Sequence, residues 1–345
     1  TTINDWHTCP NSGRINASNP CVTGDTRIAT SDGLIQIKDL VGKNPLLKTP
    51  QGYFKAKKIW QTGIKSVYKL TTRAGYSLRL TADHKVYVDG KGDVAAKDLK
   101  PGEVMVLEGS AFGYHSLPTS LAMTIGYAVG DGCLSHKITR GNPALTWVGG
   151  QADAHVLEQI ANSINYYSVG INKAGTIAPV HVHASTPGLK VVTSRPDIVS
   201  VCSKYAVLDK GSENKLLTDE VYNLDRSSLA FLLRGLFTAD GTVSGNQEKG
   251  YYVGLDSTSL KLIEQVQLLL LNFGIKSKVY KNRRTKLNAY LPDSKRNPKL
   301  YSVKQTHSLR ITRSSRVLFE QEVGFVAGTS KTKKLRQINK DCFAY

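Results

Sequence analysis

Ser120-Leu-Ala-Met-Thr-Ile-Gly-Tyr-Ala-Val-Gly-Asp-Gly132 and Leu229-Ala-Phe-Leu-Leu-Arg-Gly-Leu-Phe-Thr-Ala-Asp-Gly241 are one motif written twice, with Gly126 over Gly235, Gly130 over Ala239 and Asp131 over Asp240. Each copy is apolar at helical spacing and places small residues four apart, hence on one helix face. Small faces let two helix backbones approach closely, and the glycine after the last turn permits the left-handed cap. The pattern therefore predicts a helix pair that delivers Asp131 and Asp240 together at its lower end. Adjacent carboxylates repel unless a hard divalent cation lies between them, and Mg²⁺, with water and phosphate oxygens completing its shell, suits that geometry.

Working outward, each copy is followed by strand-like runs and a further helix. After the first come strands at Ala144 to Val148, Val180 to His183 and Lys190 to Thr193, around a helix from Asp153 to Ile164. After the second come a strand at Tyr251 to Asp256, a helix at Ser259 to Phe273, and strands at Lys276 to Tyr280 and Ser308 to Thr312. The chain thus repeats internally at the scale of a half-domain. The paired motif resembles the double-motif LAGLIDADG homing endonucleases. That resemblance implies an α/β domain over residues 113–337, made of two pseudo-symmetric αββαββα-like halves at about 113–225 and 226–337. It further implies metal ligands Asp131 and Asp240, and two cations, Lys215 and Lys331, that stabilise phosphorane charge or help activate water. Leu217 stands where the family pattern carries a proline after Lys215.

Lys276 to Arg316 holds 13 Lys or Arg against one acidic residue, Asp293, with Tyr280, Tyr290 and Tyr301 interleaved. Basic strands facing one way track phosphates and reach into the major groove. The candidate DNA contacts are Lys276, Lys278, Lys281, Arg283, Arg284, Lys286, Arg310 and Arg313, while residues 292–299 read as a solvated loop. His181 and His183, two apart along a strand, share a face and read as DNA contacts or packing rather than metal ligands.

Residues 21–112 change character: short alternating runs at 26–30, 33–37, 67–72, 76–81, 85–88 and 104–108, broken by Gly and Asp, predict a small all-β domain. Two stretches add chemistry. Cys21-Val-Thr-Gly-Asp-Thr26 with Asp32-Gly33 and Ile35 to Leu40 resembles the opening block of an intein, and Arg79-Leu-Thr-Ala-Asp-His84 resembles the block that supplies a Thr and a His to the splice site. The resemblance implies an all-β Hint-type splicing domain, in which the Cys21 thiolate attacks the carbonyl carbon of Pro20 and moves the acyl group from nitrogen to sulfur. By the same resemblance Thr81 polarises the scissile amide and His84 supplies the proton, a role suited to the side chain that titrates nearest pH 7. Pro20 stiffens the attacked carbonyl and predicts a slow first step.

Upstream, Asn4 to Pro20 is similar to a ribonucleotide reductase large subunit, which reads residues 1–20 as an N-extein. Residues 338–345 resemble the first strand of the closing splicing block. The expected partners are therefore double-stranded DNA, namely the intein-less ribonucleotide reductase gene, and a separate C-terminal intein fragment carrying the C-extein. A second reading keeps trans-splicing as the function and leaves an endonuclease domain that binds DNA without cutting. A working reductase fragment is disfavoured, since only the first 20 residues match that family.

The composition agrees with a nucleic-acid partner: 345 residues carry a net charge of +19 at 40% hydrophobic content. Nucleic acid comes first as the polyanion and an anionic membrane second. No apolar run reaches the ~20 residues of a membrane span. Five cysteines without a Cys-x-x-Cys pair argue against a disulfide framework or zinc site and fit a reducing, cytoplasmic setting in a prokaryotic, archaeal or phage-infected cell. The expected assembly is a monomer with an internal pseudo-two-fold.

Overall fold

Runs of four alternating residues bounded by turn-forming glycines give the first part of the chain its strands. The computed structural model describes residues 21–49, 51–107, 111–136, 143–169, 178–186, 188–248, 250–284, 288–292 and 298–341. The chain divides into two units, one ending at Ala111 and one beginning at Phe112. Residues 1–20, including Pro20, lie outside the described residues.

The first unit contains only β-strands and short 3₁₀ turns among its described residues: β1 (Arg27–Thr30), β2 (Gly33–Gln36), β3 (Leu46–Thr49), β4 (Gly52–Lys55), β5 (Tyr68–Thr71), β6 (Ser77–Leu80), β7 (Lys85–Val88) and β8 (Gly92–Ala95). They form a four-stranded sheet in the order β2-β1-β3-β4 and two hairpins, β5-β6 and β7-β8. The turn from β1 to β2 places Gly33 at φ 105°, where a side chain would be strained. Of the strand expected at 104–108, the described residues 104–107 form a single bridge from Met105 to Val88, with Val104 and Val106 exposed, and residue 108 lies outside the described residues. Conversely β3, β4 and β8 form outside the runs that alternation marks.

The second unit opens with α1 (Thr119–Asp131), followed by β9 (Gly132–Ser135), β10 (Ala144–Gly149), α2 (Ala154–Val169), β11 (Val182–Ser185), β12 (Gly188–Thr193) and α3 (Pro196–Tyr205). This is the αββαββα order expected of a half. A two-stranded ribbon, β13 (Ala206–Val207) with β14 (Leu216–Leu217), leads to α4 (Arg226–Asp240). The second half continues with β15 (Gly241–Asn246), β16 (Gly250–Ser257), α5 (Leu260–Leu271), β17 (Lys278–Tyr280), β18 (Asn288–Pro292), β19 (Pro298–Ser302), β20 (His307–Thr312), α6 (Arg313–Glu322) and α7 (Ser330–Asp341). It departs from the expectation by an extra hairpin, β18-β19, whose strand ends occupy part of the supposed loop at 292–299. It departs also by α7, which runs through 338–341, so the boundary placed at 337/338 falls inside a helix. Residues 342–345 lie outside the described residues.

Both main sheets are antiparallel and share one strand order. In sequence terms the first half reads first-second-fourth-third (β9-β10-β12-β11) and so does the second (β15-β16-β20-β17). Register fixes which residues share a face. In the second half Val243, Val253 and Ile311, then Leu255, Leu309 and Val279, line the buried face against the helices. The opposite face carries Thr242, Gly254, Arg310 and Lys278 in one row and Ser244, Tyr252 and Thr312 in the next. The equivalent face of the first half carries Cys133, Thr146 and Val192, then Val148, Lys190 and His183. His181 stands just before β11, so the two imidazoles are not the strand pair expected from sequence. Among the described residues no helix is long and apolar enough to cross a membrane.

Candidate active site and nucleic-acid interface

The two motif helices meet along their small residues. Each ends in a glycine with extended backbone, Gly132 at φ −109° and Gly241 at φ −72°, and not in the left-handed cap expected. Glycine is needed at these ends because a Cβ would lie 2.4 Å and 2.3 Å from the carbonyl oxygens of Ala128 and Phe237. A Cβ on Gly126 would lie 1.8 Å from the Leu232 carbonyl oxygen, and one on Gly235 would lie 2.1 Å from that of Met123. The helices therefore touch backbone to backbone, a separation that larger side chains would prevent. One turn lower a Cβ on Gly130 would sit 2.6 Å from the Ala239 Cβ and 3.3 Å from the Asp240 carboxyl carbon. The helix starts are also tied. Ser228 Oγ receives the Leu117 N–H at 2.8 Å, and Asp225 caps α4 by accepting the Ser228 N–H at 2.7 Å.

This crossing brings Asp131 and Asp240 together in a largely buried place. Burial pushes the Asp240 carboxyl up to about 6, with the Asp131 charge adding to it and Lys215 and Lys331 opposing. Burial raises Asp131 too, against the same two lysines. Lys215 donates to the Gly130 carbonyl at 2.6 Å, and Lys331 donates to the carbonyls of Thr238 at 2.6 Å and Ala239 at 2.9 Å. Burial lowers both ammonium groups, while the two aspartates hold their charge up. The four residues named from sequence thus form one cluster. Paired, desolvated carboxylates offer hard oxygen donors, which fits a divalent cation of the Mg²⁺ kind. Among the described residues no group of three His, Cys, Asp or Glu forms a larger cage, so further ligands would be carbonyls, water or phosphate oxygens.

The supports of the lysines were not visible beforehand. Gln265 on α5 is buried and clamps the strand after Lys215, accepting the Leu217 N–H at 3.0 Å and donating to its carbonyl at 2.7 Å. On the other side Arg316, 3% exposed, donates from Nε to Asn339 Oδ1 at 2.7 Å and from its terminal nitrogen to the Tyr251 carbonyl at 2.9 Å. That fastens α7, which carries Lys331, to α6 and the sheet. Asp153 is another residue that sequence reasoning missed: its charge raises Asp131 and supports the Lys331 ammonium. A lone Asp before a helix gave no signal.

The basic face is smaller than the basic sequence. Arg310, Lys278 and Arg283 gather at one ring: their charges lie 5.0, 4.8 and 5.6 Å from the Tyr280 centroid, and Arg310 is also 4.3 Å from that of Tyr252. Lys281 is a correction: it points towards α5 and pairs with Glu264 at 2.7 Å, because β17 puts position 281 on the helix side with Val279. Lys276 precedes the strand and lies beside the start of α6, where its N–H reaches Ser315 Oγ at 3.1 Å. Arg313 is the exposed first residue of α6, at φ 52°. Arg284 is exposed after β17, and Lys286 lies outside the described residues.

In the first unit the segment after Cys21 runs beside the end of β6. Thr81 N–H donates to the Cys21 carbonyl at 3.0 Å, and Thr23 N–H donates to Arg79 at 3.2 Å. The His84 ring hydrogen-bonds the Cys21 backbone, and burial holds its pKa below the usual histidine range. Thr81 Oγ1 and His84 Nδ1 are buried without a hydrogen-bond partner among the described residues. Cys21, Thr81 and His84 therefore lie close together. Thr62 was missed; its hydroxyl lies 3.4 Å from the Cys21 sulfur, and a solitary threonine in a loop carries no pattern.

Comparison with known proteins agrees with the motif. Residues 227–324, in the second half of the second unit, match the family described as LAGLIDADG-like domain. The chain is 27% identical over 347 residues to the ribonucleoside-diphosphate reductase NrdEB subunit alpha of Bacillus subtilis (strain 168), covering 92% of this chain and 31% of that protein. It is also 27% identical over 286 residues to the replicative DNA helicase DnaB of Rhodothermus marinus, covering 75% of this chain and 28% of the helicase. Protein RecA of Mycobacterium tuberculosis (strain H37Rv) is 27% identical over 282 residues, which cover 76% of this chain and 33% of RecA. The chain thus spans about a third of the length of the curated relatives it matches. Among solved structures, an I-DmoI variant in complex with its target DNA has a TM-score of 0.42 at 13% identity, covering 63% of this chain and 97% of that one. The LAGLIDADG meganuclease I-AabMI bound to uncleaved DNA has a TM-score of 0.38 at 10% identity, covering 65% and 91%.

Proposed function

We propose that the second unit is a site-specific double-strand DNA endonuclease and the first an intein-type splicing domain that acts through Cys21. The observation that carries the first claim is the pairing of Asp131 and Asp240 at the bottom of a glycine-packed helix crossing, each flanked by a lysine. A bound divalent cation supplies Lewis acidity towards the scissile phosphate and lowers the pKa of an attacking water. The aspartates hold that cation, and the lysines set positive charge beside the phosphorane oxygens, where charge develops in the transition state. Lys278, Arg283 and Arg310 bind the duplex.

The insert reading is supported by the kinds of protein that share this sequence. A reductase, a helicase and RecA have unrelated activities, yet each matches most of this chain over about a third of its own length. A segment common to such hosts is what a mobile element would leave behind. In it, the Cys21 thiolate attacks the carbonyl of residue 20; the C–N bond breaks as the C–S bond forms, and the departing amine takes a proton. In this reading His84 supplies that proton and Thr81 polarises the amide. The natural DNA target is the reductase gene without the insert.

Incubation of the protein and Mg²⁺ with a plasmid carrying the uninterrupted reductase site tests the nuclease, beside the Asp131→Asn and Asp240→Asn variants. Double-strand breaks that vanish in both variants support it; binding without a break refutes it. For the first unit, added thiol should release residues 1–20 from the wild type and not from Cys21→Ala.

A further inference from the structure

Among the described residues, Arg310 is the basic side chain of its face that lies against two aromatic rings. It lies in the middle of the outer face of the second sheet, directly across from Gly254 on β16 and Lys278 on β17. Its guanidinium carbon is 4.3 Å from the Tyr252 ring centroid and 5.0 Å from that of Tyr280, so aromatic rings of two different strands hold the planar group. Its Nε is buried and has no hydrogen-bond partner among the described residues. Gly254 offers no side chain to pair with it, and Lys278 is a like charge directly opposite, an arrangement that destabilises a sheet in isolation. The cost of that arrangement falls away when an acceptor edge meets the guanidinium.

The acceptor must be planar and double. A phosphate is met well enough by Lys278, whose ammonium acts as a point charge. A guanidinium held near two rings offers its fork of donors for a bidentate contact, and in the major groove the matching edge is the O6 and N7 pair of guanine. The first sheet offers no counterpart. By register, Cys133, Thr146 and Val192 occupy the places of Thr242, Gly254 and Arg310, so Val192 stands where the arginine stands.

We propose that Arg310, clamped between Tyr252 and Tyr280, is a base-reading residue that requires a guanine at one position of the half-site under the second sheet, with no such requirement at the related position of the other half-site. This rests on the DNA-binding reading of the second unit.

The test is selection of bound duplexes from a fully randomised double-stranded DNA library by the whole chain, in EDTA so that binding alone is read. The wild type should enrich a guanine at one position by roughly five- to a hundred-fold over other bases, the discrimination typical of a bidentate contact. Arg310→Lys keeps the charge and should lose that preference while other positions stay. Tyr252→Leu removes one ring and should weaken the same position only. Lys278→Ala should lower affinity for all sequences alike and leave the guanine in place. A guanine preference that survives in Arg310→Lys, or a wild-type selection with no invariant guanine, overturns the assignment. Wild-type protein that enriches no duplex at all overturns the DNA-binding reading itself, and the assignment with it. Unfolding curves of the variants that coincide with wild type rule out misfolding as the cause of any change.

Discussion

Lys215 and Lys331 occupy equivalent places: one donates to the carbonyl of Gly130, just before Asp131, and the other to the carbonyl of Ala239, just before Asp240. One reaches the helix pair from the strand ahead of α4, the other from the start of the last helix. Each ammonium therefore sits beside a carboxylate without forming a closed ion pair, and stays available to a phosphate.

Replacing either lysine by Met should leave duplex affinity within a few-fold and slow strand cleavage by about a hundred-fold or more, the usual effect of removing one group that stabilises transition-state charge. Single-turnover cleavage with protein in excess over plasmid measures this. Equal losses in affinity and rate would mean that the lysines only bind DNA.

The pH dependence of stability follows from Asp240. Its carboxyl titrates at about 6 in the folded chain, against an ordinary 3.8. A raised carboxyl contributes stability in its protonated form, fully below 3.8, and loses it as pH rises through 6. Metal-free protein should become less stable between pH 4 and pH 7, by about 2–3 kcal/mol from this group. Asp240→Asn should flatten the slope in denaturant titrations. Added Mg²⁺ should raise the melting temperature at pH 8 and do little at pH 5, where protons hold the site.

Gly126→Ala and Gly235→Ala should each destabilise the second unit by about 3 kcal/mol or more, since the new methyl meets a backbone carbonyl that has nowhere to move. Chemical denaturation reads the loss. The same change at Gly250, where φ is 76° but nothing lies within 4 Å, tests strain without a clash and should cost less.

Arg316→Met should lower stability by about 2 kcal/mol through loss of its buried bonds to Asn339 and Tyr251. It should also depress cleavage beyond the fraction unfolded, because α7 no longer fixes Lys331. Hydrogen exchange concentrated in residues 330–341 would identify the route.

The reactive groups were readable because each belongs to a repeated or spaced pattern: two Asp-Gly helix ends in register, a Cys block followed by Thr-x-x-His. Their supports were not. Gln265 and Arg316 look like ordinary polar residues on amphipathic helices, and only the fold places them against the backbone of Leu217 and of Tyr251. Lys281 and Lys278 read alike in a basic run, yet a strand of three residues ends between them and sends Lys281 to Glu264. The strand expected at 104–108 failed for a related reason, since alternation specifies a face and not a partner.

The two sheets share a strand order yet carry different chemistry on their open faces, Val192 on one where Arg310 stands on the other. An assembly of two identical subunits must read the same letters on both arms, and so is confined to palindromes. A single chain that holds both halves escapes that confinement. Each face is free to accumulate its own substitutions, and a duplex read by both, as proposed above, has no need to be symmetric.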